Sequence, residues 1–419
     1  MFMCKRQPFH GIKRAACATL AWVLLFLAAA AHPAVASDEN TPPVDWASCR
    51  SGQVYLPPGD DSLPVALTGV SARGAVLMEA ESGDVIFGQN ENARLPMAST
   101  TKIMTAMIAL ERLPLETVVT VTSGSVGIEG SSIYLAEGEK LTAEQLLYAL
   151  LLESANDAAV AIAIAVAGSV EAFADLMNEK ARELGLTDTH FVNPHGLDHK
   201  EHYTTAKELA LITRAALQVP GFRDICSATR KTVPLHGDEG VRLLINHNKL
   251  LTSYEGCIGV KTGYTKKTGR CLVSAAERDG VTLIAVTLNA PDDWRDHTAM
   301  LDYGFGAYES VTLCKPGFYS APLWTVSGTQ DYVMVENAEA FSVTLRRNHG
   351  AIHCTVELPR FLFAPIVCGQ AVGLLRFTER RSDGTEQLLG TVPLYAAYTV
   401  ESVTYKRGLW DWLRSLFGD

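Results

Sequence analysis

The sequence predicts an α+β fold, on two observations. Strand-like runs stand at both sequence ends of a long block with helical periodicity. From Leu313 to Tyr405 the chain then changes to short alternating stretches broken by Gly, Pro and Asp, the pattern of a separate small all-β domain. At 419 residues, length alone also suggests two domains.

Met1 to Ala36 reads as an export signal, with a retained membrane anchor as the alternative. Lys5, Arg6, Lys13 and Arg14 form a basic start without acidic residues, Ala15 to Ala31 is apolar, and Ala34-Val35-Ala36 is a cleavage pattern. The formal net charge is −10, and −14 once those four cations leave. So acidic a chain has no electrostatic footprint for nucleic acid, and none is expected as a partner. Seven of nine cysteines remain after the signal, an odd and scattered set without Cys-x-x-Cys, which indicates neither zinc nor a disulfide scaffold. Cys257 with Cys271 and Cys354 with Cys368 are placed so that they could pair, with free buried thiols as the alternative.

Residues 37–70 are rich in Pro, Asp and Ser and read as a tether. Gly74–Ala80 and Val85–Phe87, about Ser82-Gly83-Asp84, read as two strands. Pro96 bars helix upstream of Ser99, and Ile103, Met104, Met107, Ile108 and Leu110 recur at helical spacing behind it. Val118 to Gly138 reads as a long irregular loop. Thr142-Ala143-Glu144-Gln145 is a capping box that opens an apolar helix. Ser154 and Asn156 fall on the short connection from that helix to the next. A further helix starts after Ser169 and ends at Gly185, a glycine cap. Another starts at Thr205, with Glu208 completing its capping box, and stops before Pro220. Gly256–Tyr264, Lys266–Ala275 and Val281–Thr287 read as successive strands, and Asp292 to Tyr308 as a helix packed on their sheet. The domains so bounded are 1–36 signal, 37–70 tether, 71–312 catalytic, 313–405 β-rich and 406–419 a terminal helix.

Chemistry enters at Ser99-Thr100-Thr101-Lys102. Residues at i and i+3 share a helix face, so the amine can point at the hydroxyl. A lysine whose pKa is lowered by a dry site can take the serine's proton and make it a nucleophile. Ser154 and Asn156, taken alone, are helix caps. Lys-Thr-Gly occurs at Lys261 and again at Lys267. A groove along a sheet edge needs a cation, a hydroxyl and a residue without a side chain, and position alone favours Lys261, Thr262 and Gly263. His190, His195, His199 and His202 have no helical pair spacing, and Asn193-Pro194-His195-Gly196 is turn chemistry, so no metal is expected.

Together, Ser99-x-x-Lys102, Ser154-x-Asn156 and Lys261-Thr-Gly263 form the set shared by penicillin-binding proteins and serine β-lactamases. Longer blocks resemble one branch, the low-molecular-mass penicillin-binding proteins that act as serine-type D-alanyl-D-alanine carboxypeptidases. These blocks are Pro96–Ala106, Leu152–Ala159, Phe191–Asp198 and Gly259–Thr265. Tyr264-Thr265 after the first Lys-Thr-Gly matches the family and selects that copy. The resemblance implies the penicillin-binding, serine β-lactamase-like transpeptidase fold: an antiparallel sheet with helices plus a helical subdomain, then the small β domain. It also implies that Ser99 attacks and becomes the acyl-enzyme, that Lys102 is the base, and that Ser154 relays a proton to the leaving amine. Asn156 is implied to hold the acyl group, Lys261 to supply positive potential, and Thr262 to bind the terminal carboxylate. The N–H groups of Ser99 and Tyr264 are implied as the oxyanion hole. No cofactor is implied.

The expected reaction is removal of the terminal D-alanine from peptidoglycan pentapeptides, with β-lactams acylating Ser99. The alternatives are a β-lactamase and a non-catalytic wall-binding scaffold. The end of the chain, Lys406 to Asp419, places Leu409, Trp410, Trp412, Leu413, Leu416 and Phe417 on one helical face. It is too short to span a bilayer and suits the interface, with docking on the protein's own β domain as the alternative. The expected location is therefore outside the cytoplasm, peripherally attached to the outer face of the cytoplasmic membrane through that helix.

Overall fold

Gly74-Ala-Val-Leu-Met-Glu79 has no polar alternation, which marks a strand covered on both sides. In the structure, a computed structural model, this strand lies inside the sheet, between two others, and all six residues are buried. The structure describes residues 54–59, 63–237, 240–381 and 383–403. The proposed signal and terminal helix lie outside the described residues.

In chain order the first strands are β1 (Val54–Leu56), β2 (Gly74–Glu79) and β3 (Val85–Gln89). A 3₁₀ turn, Ala98–Thr101, runs into helix α1 (Lys102–Arg112). Strands β4 (Val118–Thr120) and β5 (Lys140–Thr142) precede α2 (Ala143–Leu152), α3 (Asn156–Ala167), α4 (Val170–Glu183), α5 (Ala206–Leu217) and α6 (Phe222–Ser227). A ribbon of β6 (Arg230–Pro234) and β7 (Val241–Ile245) leads to α7 (Leu250–Ser253). Then come β8 (Cys257–Thr265), β9 (Gly269–Arg278), β10 (Val281–Leu288) and α8 (Asp293–Ala307). The antiparallel order of this sheet is β3-β2-β10-β9-β8.

Successive side chains of a strand point to opposite faces. Val76, Met78, Val273, Ala275, Ile284 and Val286 accordingly pack against the helical block. Their neighbours Ala75, Leu77, Leu272, Ala276, Leu283 and Ala285 pack with Met300 and Leu301 of α8. The buried His297 of α8 joins Ser274 of β9 and Thr287 of β10, pinning helix to sheet. That Ser–His pair is sealed in the core and has no access to substrate.

Among the described residues after α8, all regular structure is strand. β11 (Tyr308–Cys314) pairs with β14 (Phe341–Arg346). β12 (Ser320–Val326), β13 (Tyr332–Glu336), β15 (Ala351–Glu357), β16 (Leu362–Phe363), β17 (Ala371–Arg380) and β18 (Glu386–Ala396) form a second sheet. Its order is β1-β15-β17-β18-β13-β12-β16.

Three local expectations are corrected. Residues 54–56, read as part of a tether, form β1 on this second sheet, because the Tyr55 hydroxyl finds Leu313 O at 2.6 Å and its ring packs on Phe318 and Phe377. The loop read over Val118–Gly138 begins with β4, which pairs with β5. The capping box at Thr142 and Gln145 forms, but that at Thr205 is half made. Glu208 turns away to accept the N–H groups of Thr187 and Asp188 and the Thr189 hydroxyl.

Candidate active site

Ser99 lies on the 3₁₀ turn rather than in the α-helix proper, one residue from Ala98, which has φ +47°. Thr100 and Thr101 hold the turn by donating to Met97 O and Ala98 O at 2.6 and 2.8 Å. The turn abuts β8 so closely that a Cβ on Gly263 would sit 3.0 Å from Ser99 N and 3.2 Å from Ala98 Cβ. The bare position therefore lets the Ser99 turn pack directly on β8.

Lys102 begins α1 and has no exposed surface. Its Nζ lies 2.7 Å from Asn156 Oδ1, 2.6 Å from His195 O and 3.0 Å from Ser99 Oγ. The first two are oxygens that can only accept. A neutral amine meets them with its two N–H bonds, which leaves its lone pair toward the serine hydroxyl, the orientation a base requires. Burial first, and the charge of Lys261 second, push this amine well below its ordinary value, against a smaller opposing pull from Asp157. Burial and hydrogen-bond geometry thus both favour the neutral form.

The Pro194–Gly196 turn braces this arrangement. Thr105 donates to Pro194 O at 2.6 Å. Gly196, at φ +89°, presses on Ala98; a Cβ there would fall 1.9 Å from Ala98 O. His202 Nδ1 accepts from Val192 N–H at 3.1 Å, so its Nε2–H faces the Thr101 hydroxyl at 2.8 Å. Burial pushes His195 and His202 down to about 3, so both are neutral. His190 and His199 bond to backbone groups of Glu201.

The second wall is the α2–α3 junction. Ser154 sits between the helices at φ +59°, and Asn156 is the first residue of α3. The Asn156 N–H donates to Ser131 O at 2.7 Å and its Nδ2 to Glu129 O at 2.6 Å. Asp157 accepts from the Ser132 hydroxyl and the N–H groups of Ile133 and Leu135. The 129–135 loop is thus fastened to the start of α3.

The third wall is β8. Lys261 is buried and donates to Thr262 O at 3.0 Å; burial lowers its pKa to about 7, with Glu153 opposing. The second copy, Lys267, is exposed beside the β8–β9 turn. Between about pH 7 and 10.5 the unfolded chain keeps a proton on Lys261 that the folded protein has lost, so folding stability rises with pH across that window. The penalty is fully present below pH 7. Lys261→Met is expected to flatten that slope and to raise the melting temperature at pH 7 by about 2–4 °C or more. Thermal denaturation of both proteins from pH 7 to 10 checks this; parallel curves would refute it.

The three walls enclose a cleft of about 360 Å³ reached by Ser99, Ser154, Thr262, Gly263 and Tyr264. Lys102, Asn156 and Lys261 stand behind it. Sequence reasoning missed the cleft residues Ser131, His247, Lys249, Arg270, Asp293 and Trp294. Arg270 was readable from the hairpin alone, because its register places it directly opposite Tyr264. It is held by Asp293 at 2.9 Å and lies over the Trp294 ring. Neither disulfide pairing forms. Cys257 faces Ala276 and Cys271 faces Gly263, so the hairpin register keeps them apart. Burial pushes the Cys226 and Cys271 thiols up to about 12, away from nucleophilic chemistry.

Comparison with known proteins gives a consistent result. Residues 62–292 match the family described as D-alanyl-D-alanine carboxypeptidase. The D-alanyl-D-alanine carboxypeptidase DacF of Bacillus subtilis is 30% identical over 357 residues, covering 82% of this chain and 90% of that protein. DacC of Escherichia coli is 33% identical over 370 residues, covering 83% and 89%. Among solved structures, penicillin binding protein 5 from Haemophilus influenzae superposes with a TM-score of 0.62 at 25% identity, covering 81% of this chain and all of that one. The Streptomyces K15 DD-transpeptidase gives 0.55 at 33% identity, covering 57% and 99%.

Proposed function

This chain belongs to the D-alanyl-D-alanine carboxypeptidase family, and from that premise we propose that Ser99 is its acylated nucleophile, working on peptidoglycan stem peptides that end in D-alanyl-D-alanine. The supporting observation is the fully buried Lys102 amine, 3.0 Å from Ser99 Oγ with both its N–H bonds engaged elsewhere. Lys102 takes the Ser99 proton as Oγ attacks the penultimate carbonyl. The Ser99 and Tyr264 N–H groups receive the oxyanion. Ser154 passes a proton to the leaving D-alanine amine, and water later frees the acyl group. Asn156 holds both the acyl amide and Lys102. β-Lactams enter the same path because their ring amide presents an equivalent carbonyl. Release of D-alanine from a pentapeptide, together with labelling by a fluorescent penicillin, tests the reading. Rapid penicillin turnover without D-alanine release would replace it with a β-lactamase, and absence of labelling with a wall-binding scaffold.

Thr262 and Arg270 together take the substrate's terminal carboxylate in this reading. Arg270 supplies a charged fork on the strand beside Thr262, at the cleft end where the leaving residue lies. Arg270→Gln is expected to lower kcat/KM about 10- to 150-fold on a peptide with a free carboxylate, the worth of one charge-assisted pair. A peptide with an amidated terminus should be turned over alike by both proteins. An equal loss on the two substrates would assign Arg270 to structure alone.

The site of action in this reading is extracytoplasmic. Residues 1–36 direct export, and residues 406–419 hold the protein peripherally to the outer face of the cytoplasmic membrane. Residues 71–312 carry catalysis and 313–405 support them.

A further inference from the structure

One outward face of the second sheet is apolar and aromatic. In β12 Leu323 points inward and is buried, while Trp324 and Val326 point outward, 65% and 37% exposed. Strand register sets Tyr332 of β13 directly beside Trp324, and Phe363 of β16 beside Val326. Phe361 meets the Phe363 ring edge-on at 5.3 Å. Phe363 is 68% exposed, Tyr332 46% and Phe361 44%. Single exposed apolar side chains need no explanation, but a contiguous cluster marks an interaction surface. Aromatic rings with polar edges are the side chains enriched at the membrane–water boundary.

The position of this face says what covers it. Val403 N–H donates to Ser327 O, the residue after Val326, so the described chain ends at the same edge. The sequence that continues from there has two further tryptophans and three cations between Lys406 and Phe417. Interfacial binding scales with the apolar area buried, so a second apolar contact adds directly to what a short terminal segment supplies. Among the described residues no single helix is long and apolar enough to cross a membrane.

We propose that the Trp324–Tyr332–Phe361–Phe363 face rests on the phospholipid surface as that second contact, beside the carboxy-terminal segment. The proposal builds on the membrane attachment in the proposed function. Sheet and segment then share one lipid footprint, and the enzyme stands at a fixed orientation above the bilayer.

The test is co-sedimentation of the exported protein with phosphatidylglycerol–phosphatidylethanolamine vesicles. The variants are Trp324→Ser with Phe363→Ser, Trp410→Ser with Trp412→Ser, and a control, Val241→Ser with Leu243→Ser on the exposed side of β7. Fluorescent penicillin labelling of each verifies that it is folded. The first two pairs are each expected to weaken partitioning about tenfold or more, and the control to leave it unchanged. Wild-type partitioning by the Trp324, Phe363 pair, with loss in the Trp410, Trp412 pair, overturns this proposal and leaves the terminal anchor standing. Failure of the wild type to bind vesicles removes both. A dimer in sedimentation velocity that the Trp324, Phe363 pair abolishes while vesicle binding persists would give the face to a second copy instead, and also overturns it.

Discussion

Ser99→Ala is expected to abolish labelling by a fluorescent penicillin and to cut D-alanine release by about 10³- to 10⁶-fold, or about 4–8 kcal/mol of transition-state stabilisation. Lys102→Met should cost nearly as much, because the hydroxyl then has no base within reach. The double variant should be no worse than Ser99→Ala, since the two groups act as one unit. In the wild type, acylation should fall on the acid side as Lys102 gains a proton, and the residual rate of Lys102→Met should lack that limb. Folding of each variant is read from its melting curve. Penicillin labelling of Ser99→Ala, or wild-type acylation by Lys102→Met, would remove the acyl-enzyme from this site.

Gly196→Ala is expected to damage both stability and acylation although it adds one methyl group. The new carbon meets Ala98 O at 1.9 Å, a backbone atom that cannot swing aside, and φ at +89° already disfavours any side chain. Left-handed strain of about 1–2 kcal/mol and overpacking of about 1–3 kcal/mol together predict a loss near 3 kcal/mol. In a protein of this size that is a drop of roughly 6–12 °C in melting temperature. The carbonyl of the neighbouring His195 holds Lys102, so the shift also reaches the base, and a displacement near 1 Å can cost about 100-fold in rate. Gly185→Ala is the control, because its φ is +73° with nothing within 4 Å of the added carbon. That variant should lose about 1–2 kcal/mol at most and acylate normally. Identical behaviour of the two variants would show that the Gly196 turn does not brace the nucleophile.

What the sequence disclosed follows a physical division. Unbroken apolar runs announced β2, β9 and β10, because a strand buried on both faces has no other way to be written. Ser99, Lys102, Ser154 and Lys261 were legible because each stands in a short local pattern. Arg270 was legible only through the register of the β8–β9 hairpin, and Trp294 not at all, since it acts by facing residues on other elements and nothing local distinguishes it from a surface side chain. Gly196 was read only as turn chemistry, because its meaning is a distance to Ala98 across nearly a hundred positions. The 3₁₀ geometry at Ser99 escaped for a related reason: tertiary pressure from β8 tightens a segment whose composition suits either helix.

Strand β1 carries a consequence for how the polypeptide matures. Val54 pairs across the ladder with His353, about 300 positions later. During synthesis the amino end emerges first, yet its partner strand arrives only when most of the rest has followed. The segment must therefore wait unclasped, and its zippering belongs among the closing events of biogenesis. A form truncated before Ala351 should leave residues 54–56 open to a protease that spares them in the intact molecule.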